Sequence, residues 1–420
     1  MQIIKVKVPE SRMHARKRLA IIATHPIQYQ VPIWRALAAD PALEVEVFYA
    51  TDMSIRGYRD VEFGRTVKWN VPLLEGYRSM FLSVDPTITA ISRFRPTARG
   101  LLPQIHRFRP QVALLNAYGT LFWVQAFFLL RALGIPIIFR HEASDTAMAR
   151  GMVKSVVRDC LLRSLYSRVS MFAAIGQSSR RHLSRLGVDE SRTESSPYNV
   201  DSDLMKNLAT IWIPQRESLR SNMGISPTGC ALIFSGKLVP KKDPLLVLKA
   251  LQLVSSAARE RLHLLVIGDG VLRSELETGG REVLGRRFHC PGFVNQHELG
   301  RWYAAADCLV LPSRRGCGET WGLVVNEAFH FGLPAIVSDG VGCQPDLVTD
   351  CTTGRIFQSG NAQSLAQAIQ EMTDELPARR MDYGALVRSR IDGFSTARAA
   401  EGLVAAVFRA VGIEENRMMT

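Results

Sequence analysis

The chain has 420 residues, 47% of them hydrophobic, and carries 52 Lys and Arg against 39 Asp and Glu, a formal net charge of +13. This is ordinary globular composition with enough apolar material for two or three domains. The seven cysteines form no CxxC pair and no His/Cys ligand spacing, which excludes a disulfide framework and a structural zinc and points to a reducing compartment. The positive charge is uneven. Residues 1–200 hold 28 Lys and Arg against 15 Asp and Glu, whereas residues 201–420 hold 24 of each. The basic half is expected to face something anionic, such as a lipid surface, a phosphorylated acceptor or nucleic acid, unless it serves only solubility. The N-terminal stretch has no apolar core of signal-peptide length. The most apolar segment, 121–130, is interrupted by Gln125, ends at Arg131 and is too short for a bilayer, so a cytoplasmic location is expected.

Residues 1–17 read as a basic arm. A short buried strand at 19–23 leads into Thr24-His25-Pro26-Ile27-Gln28-Tyr29, a helix opened by Pro32 runs over 32–39, and an alternating strand follows at 43–49. Strand, loop, helix, strand is the start of a doubly wound sheet, in which the loop after the first strand lies at the ligand-binding edge. A dinucleotide site needs G-x-G-x-x-G there, and His25 to Tyr29 contains no glycine, which argues against a nicotinamide dehydrogenase. Gln28 and Tyr29 are candidate acceptor contacts.

Residues 51–110 scatter Pro, Gly and aromatics among arginines and read as loops packed around the sheet. Phe81-Leu82 and Arg93-Phe94-Arg95 would suit a loop touching a membrane. The same Arg and aromatic mix could meet nucleic acid, but no nucleic-acid motif accompanies it. A strand at 111–115, an apolar helix at 121–133 and a buried strand at 136–139 deliver Arg140-His141-Glu142 to a sheet edge. A basic amphipathic helix spans 154–168, with Val156, Val157, Leu161, Leu162 and Leu165 on the side expected to face the core; lying on a membrane is the alternative. A strand (170–175) and a helix (178–186) complete this half. Residues 202–228 read as a linker with a short helix.

The strand at 231–234 feeds Gly236-Lys237-Leu238-Val239-Pro240-Lys241-Lys242-Asp243, and cations at a strand's end suit a phosphate. A strand at 262–267 ends in Gly268-Asp269-Gly270 before a helix. Then come FHCPGF (288–293), a helix (297–306) and a strand (308–311). The most informative stretch is GETWGLVVNEAFHFGLPAIVS, residues 318–338. It reads as a loop, a helix from Leu323 stopped by Gly332 and Pro334, and a strand. The helix end offers open N–H groups and a positive dipole, which suits a diphosphate. Glu319 just before that end and Glu327 one turn inside it could accept hydrogen bonds from a sugar and a ribose. A helix at 362–372 and a last helix after Gly393 close the chain.

This stretch resembles the E-x7-E motif of the retaining nucleotide-sugar glycosyltransferases of family 4. The resemblance implies an α/β GT-B fold: two doubly wound Rossmann-like domains facing each other across a cleft. The expected division is an arm at 1–17, an N-terminal acceptor-binding domain at 18–201, a linker at 202–228, a C-terminal nucleotide-sugar-binding domain at 229–393, and a C-terminal helix at 394–420 that crosses back. In the family the first Glu contacts the donor sugar, the second binds the ribose, and amides between them hold the diphosphate. Here these are Glu319, Glu327 and the amides of Gly322, Leu323 and Val324. Gly236, Lys237 and Lys242 resemble the family's G-[RK]-L-x-x-x-K-G diphosphate loop, with Asp243 in place of its glycine and Lys237 where Arg is more usual. FHCPGF resembles the F-x-G-[FY] segment that meets the nucleobase, placing Phe293 at the donor. His141 matches a histidine facing the transfer centre. SSPYNVD (195–201) resembles a PNGVD segment, with Val200 at the glycine.

The implied activity is retaining, metal-independent transfer of a sugar from a nucleotide diphosphate sugar to a saccharide or lipid-linked acceptor, in envelope polysaccharide or glycolipid synthesis. His141, Glu319, Lys237 and Lys242 form the catalytic set. Neither a cofactor nor a nucleic-acid partner is expected, and an anionic membrane surface is a candidate partner, with a peripheral place at the inner face of the cell membrane. The alternatives are a non-catalytic GT-B-like partner subunit and a nucleotide-sugar epimerase.

Overall fold

The computed structural model describes residues 16–60, 65–67, 69–140, 142, 144–145 and 151–419. In chain order the first half forms β1 (Lys17–Ala23), β2 (Leu43–Tyr49), β3 (Tyr58–Asp60), β4 (Arg65–Val67), β5 (Arg78–Phe81), β6 (Val112–Leu115), β7 (Ile137–Phe139), β8 (Met171–Ala174) and β9 (Thr193–Ser195). The second half forms β10 (Cys230–Ser235), β11 (Leu262–Ile267), β12 (Phe288–Gly292), β13 (Cys308–Leu311), β14 (Ala335–Ser338) and β15 (Gly354–Phe357).

Seven strands assemble in the order β5-β2-β1-β6-β7-β8-β9 and six in the order β12-β11-β10-β13-β14-β15, all in parallel register, while β3 and β4 pair only with each other. Strands such as Leu19-Ala20-Ile21-Ile22 and Leu264-Leu265-Val266-Ile267 are apolar on both faces because helices cover both sides of a parallel sheet. Burying each aliphatic side chain contributes about 1.5–3 kcal/mol. In both sheets the winding reverses beside the first strand, between β1 and β6 and between β10 and β13. A crevice opens there at the carboxyl ends, where doubly wound sheets bind ligands.

Several elements depart from their sequence reading. Phe81 lies on the edge strand β5, stacked on Tyr49 at 5.7 Å, so it does not belong to a membrane-touching loop. Residues 202–222 are mostly helical: Ser202–Trp212 packs into the second domain's core through Met205 and Leu208, and Arg216–Asn222 is tied to it by Arg220, which donates to Asp307. The helix after β15 runs from Ala362 to Asp392, straight through Pro377, held by buried Leu376, Tyr383 and Val387. The helix Met152–Tyr166 buries only Leu162 and Tyr166, and Val156, Val157 and Leu161 are exposed rather than core. The last helix, Thr396–Met419, crosses to the first sheet and buries Ala399, Leu403, Ala406 and Val407 in its core. No helix among the described residues is long and apolar enough to cross a membrane.

Candidate active site

The second domain's crevice is built from two layered loops. The turn after β11 lies directly on the loop after β10. Gly236 N–H donates to Ile267 O, Leu238 N–H to Asp269 O and Leu272 N–H to Leu238 O, at 2.9–3.0 Å. A Cβ on Gly268 would stand 1.8 Å from the Gly236 oxygen, and one on Gly270 2.5 Å from the Leu238 oxygen. The GDG sequence is therefore a packing requirement that fixes the loop carrying Lys237.

The same loop ends at Asp243, which takes a left-handed conformation at φ +49° where the resembling motif has glycine. Arg314 clamps its carboxylate with two guanidinium bonds of 2.8 and 3.2 Å, which holds the strained turn. Just before it, Lys242 Nζ donates to Glu319 Oε2, which also accepts from Ser313 Oγ at 2.8 Å. Both partners of this ion pair are largely buried.

Gly322 caps the helix Leu323–His330 at φ +104°, and a Cβ there would lie 2.8 Å from Leu311 Cδ2. The N–H groups of Leu323 and Val324, in the first turn, have no acceptor within the helix and open beside Glu319. Trp321 is buried at the loop's base: its indole donates to Asn326 Oδ1 at 2.8 Å, and Asn326 Nδ2 donates to Tyr198 O at 3.0 Å. Glu327, one turn in, accepts from the Tyr303 hydroxyl at 2.7 Å. Burial pushes the carboxyl up from 4.5 to about 7, against the smaller lowering effect of the Tyr303 hydroxyl.

The first domain supplies the opposite wall. Burial lowers the His25 imidazole to about 4, so it is neutral near pH 7, with Nδ1 3.0 Å from Thr24 Oγ1. The Gln28 side-chain oxygen is buried without a hydrogen-bond partner among the described residues. Tyr29 packs edge-on against Tyr198 at 5.4 Å. Phe293, just after β12, reaches across to Trp69 at 6.4 Å. Val200 is not in the left-handed region, so the segment 195–201 runs without the glycine of the resembling motif.

Lys242, Glu319 and the helix end thus come together, with Glu327 a turn away and Tyr29 facing them from the first domain. His141 lies outside the described residues. Its neighbour Glu142, passed over in the sequence, is the meeting point of the two walls. Its carboxylate accepts from the hydroxyls of Tyr198, Tyr29 (3.5 Å) and Thr320 (2.8 Å), the last adjoining Glu319. Its place after β7 was the available signal.

Residues 215–385 match the family described as Glycosyl transferases group 1. The D-inositol 3-phosphate glycosyltransferase of Pseudarthrobacter chlorophenolicus is 30% identical over 241 residues, covering 55% of this chain and 54% of that protein. The GDP-mannose-dependent monoacylated alpha-(1-6)-phosphatidylinositol monomannoside mannosyltransferase of Corynebacterium glutamicum is 27% identical over 235 residues, covering 55% and 60%. The chain spans between half and two thirds of the length of these relatives. Among solved structures, Anabaena HepE in complex with UDP superposes with a TM-score of 0.68 at 15% identity, over 93% of this chain and 99% of that one. Sucrose-phosphate synthase of Thermosynechococcus elongatus gives 0.67 at 19% identity, over 95% and 100%. The two facing parallel-sheet domains are the GT-B fold.

Proposed function

We propose that this chain, whose residues 215–385 match the group 1 glycosyl transferases, moves a sugar from a nucleotide diphosphate sugar to a saccharide or lipid-linked acceptor with retention at the anomeric carbon. The observation that carries the reading is the Lys242–Glu319 pair beside the open helix end at Leu323, with half-buried Glu327 one turn inside. The amides of Gly322, Leu323 and Val324, with Lys237 and Lys242, hold the diphosphate. Glu327 accepts the ribose hydroxyls, Glu319 orients the sugar, and Phe293 meets the base.

As the bond between the anomeric carbon and the phosphate oxygen breaks, negative charge grows on the diphosphate, and Lys242 and the helix dipole stabilise it. The acceptor oxygen bonds to the anomeric carbon from the same face, and its proton passes to the departing phosphate oxygen. No enzyme nucleophile enters this route, and the lysines supply the charge that a metal provides elsewhere. The relatives named for inositol phosphate and phosphatidylinositol mannoside favour an anionic or lipid-linked acceptor, which agrees with the basic first half. The reading places the protein in the cytoplasm, peripheral to the inner membrane face, in envelope polysaccharide or glycolipid synthesis.

A panel of nucleoside diphosphates and their sugars, tested for thermal stabilisation of wild type and Glu327→Ala, examines the donor site. Binding at about one hundred times Kd stabilises the native state by about 2.7 kcal/mol. A shift for one base, lost in the variant, supports the reading. No shift with any nucleotide refutes it.

A further inference from the structure

The helices Leu121–Ala132 and Met152–Tyr166 start beyond the carboxyl ends of β6 and β7, the same sheet edge that carries Tyr29 and Glu142. Both turn apolar side chains to solvent there. On the second, Met152, Val153, Val156, Val157 and Leu161 follow i, i+4 spacing and are 55–82% exposed. On the first, Phe128 stands out in the same way, and Phe94 projects from the preceding loop. A cavity of about 530 Å³, lined by Phe94, Tyr118, Val124, Leu161 and Leu165 together with Arg93 and Arg158, joins the two helices into one face. Residues 93–99, 118–133 and 152–168, which build it, carry eight Lys and Arg and a single acid, Asp159, itself bonded to Arg185.

We infer that this face seats on an anionic bilayer, with the aliphatic stripe of 152–161 and Phe128 below the headgroups and the arginines among the lipid phosphates. The inference rests on reading the first domain as the acceptor side. An apolar stripe surrounded by cations matches an interface where hydrocarbon and phosphate lie within one helix diameter. A second copy of the chain would set these cations against one another, and a nucleic acid would leave the stripe uncovered. Seated this way, the cleft mouth opens onto the lipid surface, and a lipid-linked acceptor reaches the site without leaving the membrane.

The test is flotation of the full chain with phosphatidylcholine vesicles, with and without phosphatidylglycerol, for wild type and Val157→Asp/Leu161→Asp. Both positions are exposed, so the variant keeps the wild-type melting temperature and nucleotide-induced shift. Wild type is expected to float with the anionic vesicles alone, and the double variant to lose at least about tenfold in partitioning. Equal flotation of the two proteins, or failure of wild type to float, overturns the inference. So does a wild-type dimer that the variant converts to monomer without any vesicle binding. Loss of the nucleotide shift in wild type would instead strike the glycosyl-transfer reading, and the vesicle result would stand apart from it.

Discussion

The Glu327 carboxyl should make stability and donor binding depend on pH in opposite senses. Burial raises it from 4.5 to about 7. The unfolded chain therefore releases this proton near pH 4.5, while the native state keeps it until about 7. Over that window the group subtracts from stability as pH rises, and the loss is complete above about 7. At about 1.4 kcal/mol per pH unit the upper bound is about 3 kcal/mol. The side chain keeps some exposure to the cleft, so about 1–2 kcal/mol is expected. Glu327→Gln keeps an acceptor for the Tyr303 hydroxyl and removes the titration. Urea unfolding should find the variant equal to wild type at pH 5 and about 1–2 kcal/mol more stable at pH 8. Ribose hydroxyls favour the ionised carboxylate, so nucleotide affinity should weaken up to about tenfold per pH unit below about 7 in wild type, beyond any slope the variant keeps from the phosphates. A variant with no stability gain at pH 8 refutes the reasoning.

Gly322→Ala forces a Cβ against Leu311 at φ +104°; a loss of about 1–3 kcal/mol and a collapse of nucleotide affinity are expected in thermal melts and titration calorimetry. Glu142→Gln leaves three hydroxyls on a weaker acceptor. Steady-state kinetics should show kcat lower by about tenfold or more at an unchanged nucleotide Kd. Arg314→Gln frees the strained turn at Asp243, costing about 0.5–1 kcal/mol and raising the donor KM. Asp243→Gly in the same background should recover the stability, because glycine takes φ +49° without penalty.

What could be read from the sequence was local. Gly332 and Pro334 punctuate the helix Leu323–His330, the GDG turn follows a run of buried aliphatics, and the strand β13 is apolar throughout, so each carries its own signal. Glu142 carries only its place after β7. Its partners Tyr198, Thr320 and Tyr29 lie 56, 178 and 113 residues away, and only the assembled domains bring them together. The helix Met152–Tyr166 shows the limit of periodicity, which reveals that a helix has an apolar side but not which way that side points. The helix expected at 362–372 extends to Asp392 and contains Pro377. A proline marks a helix stop in isolation, yet packing of Leu376, Tyr383 and Val387 carries the helix through it. Residues 202–222 resemble a linker in composition because their apolar contacts with the second domain, Met205, Leu208 and Ala209, are interleaved with polar residues, and Arg216 and Arg220 join it through Asp307.

The central claim is that Lys242 and the helix end at Leu323 stabilise a departing nucleoside diphosphate. The most direct test is release of nucleoside diphosphate from a panel of nucleotide sugars, with phosphatidylinositol-type and soluble saccharide acceptors, by wild type and Lys242→Ala. Wild type is expected to show acceptor-dependent release from one donor and to give an α-configured product from an α-linked donor, and the variant, with its fold intact, to fall by about one hundredfold or more in kcat. An inverted product, or a variant as active as wild type, would contradict the central claim.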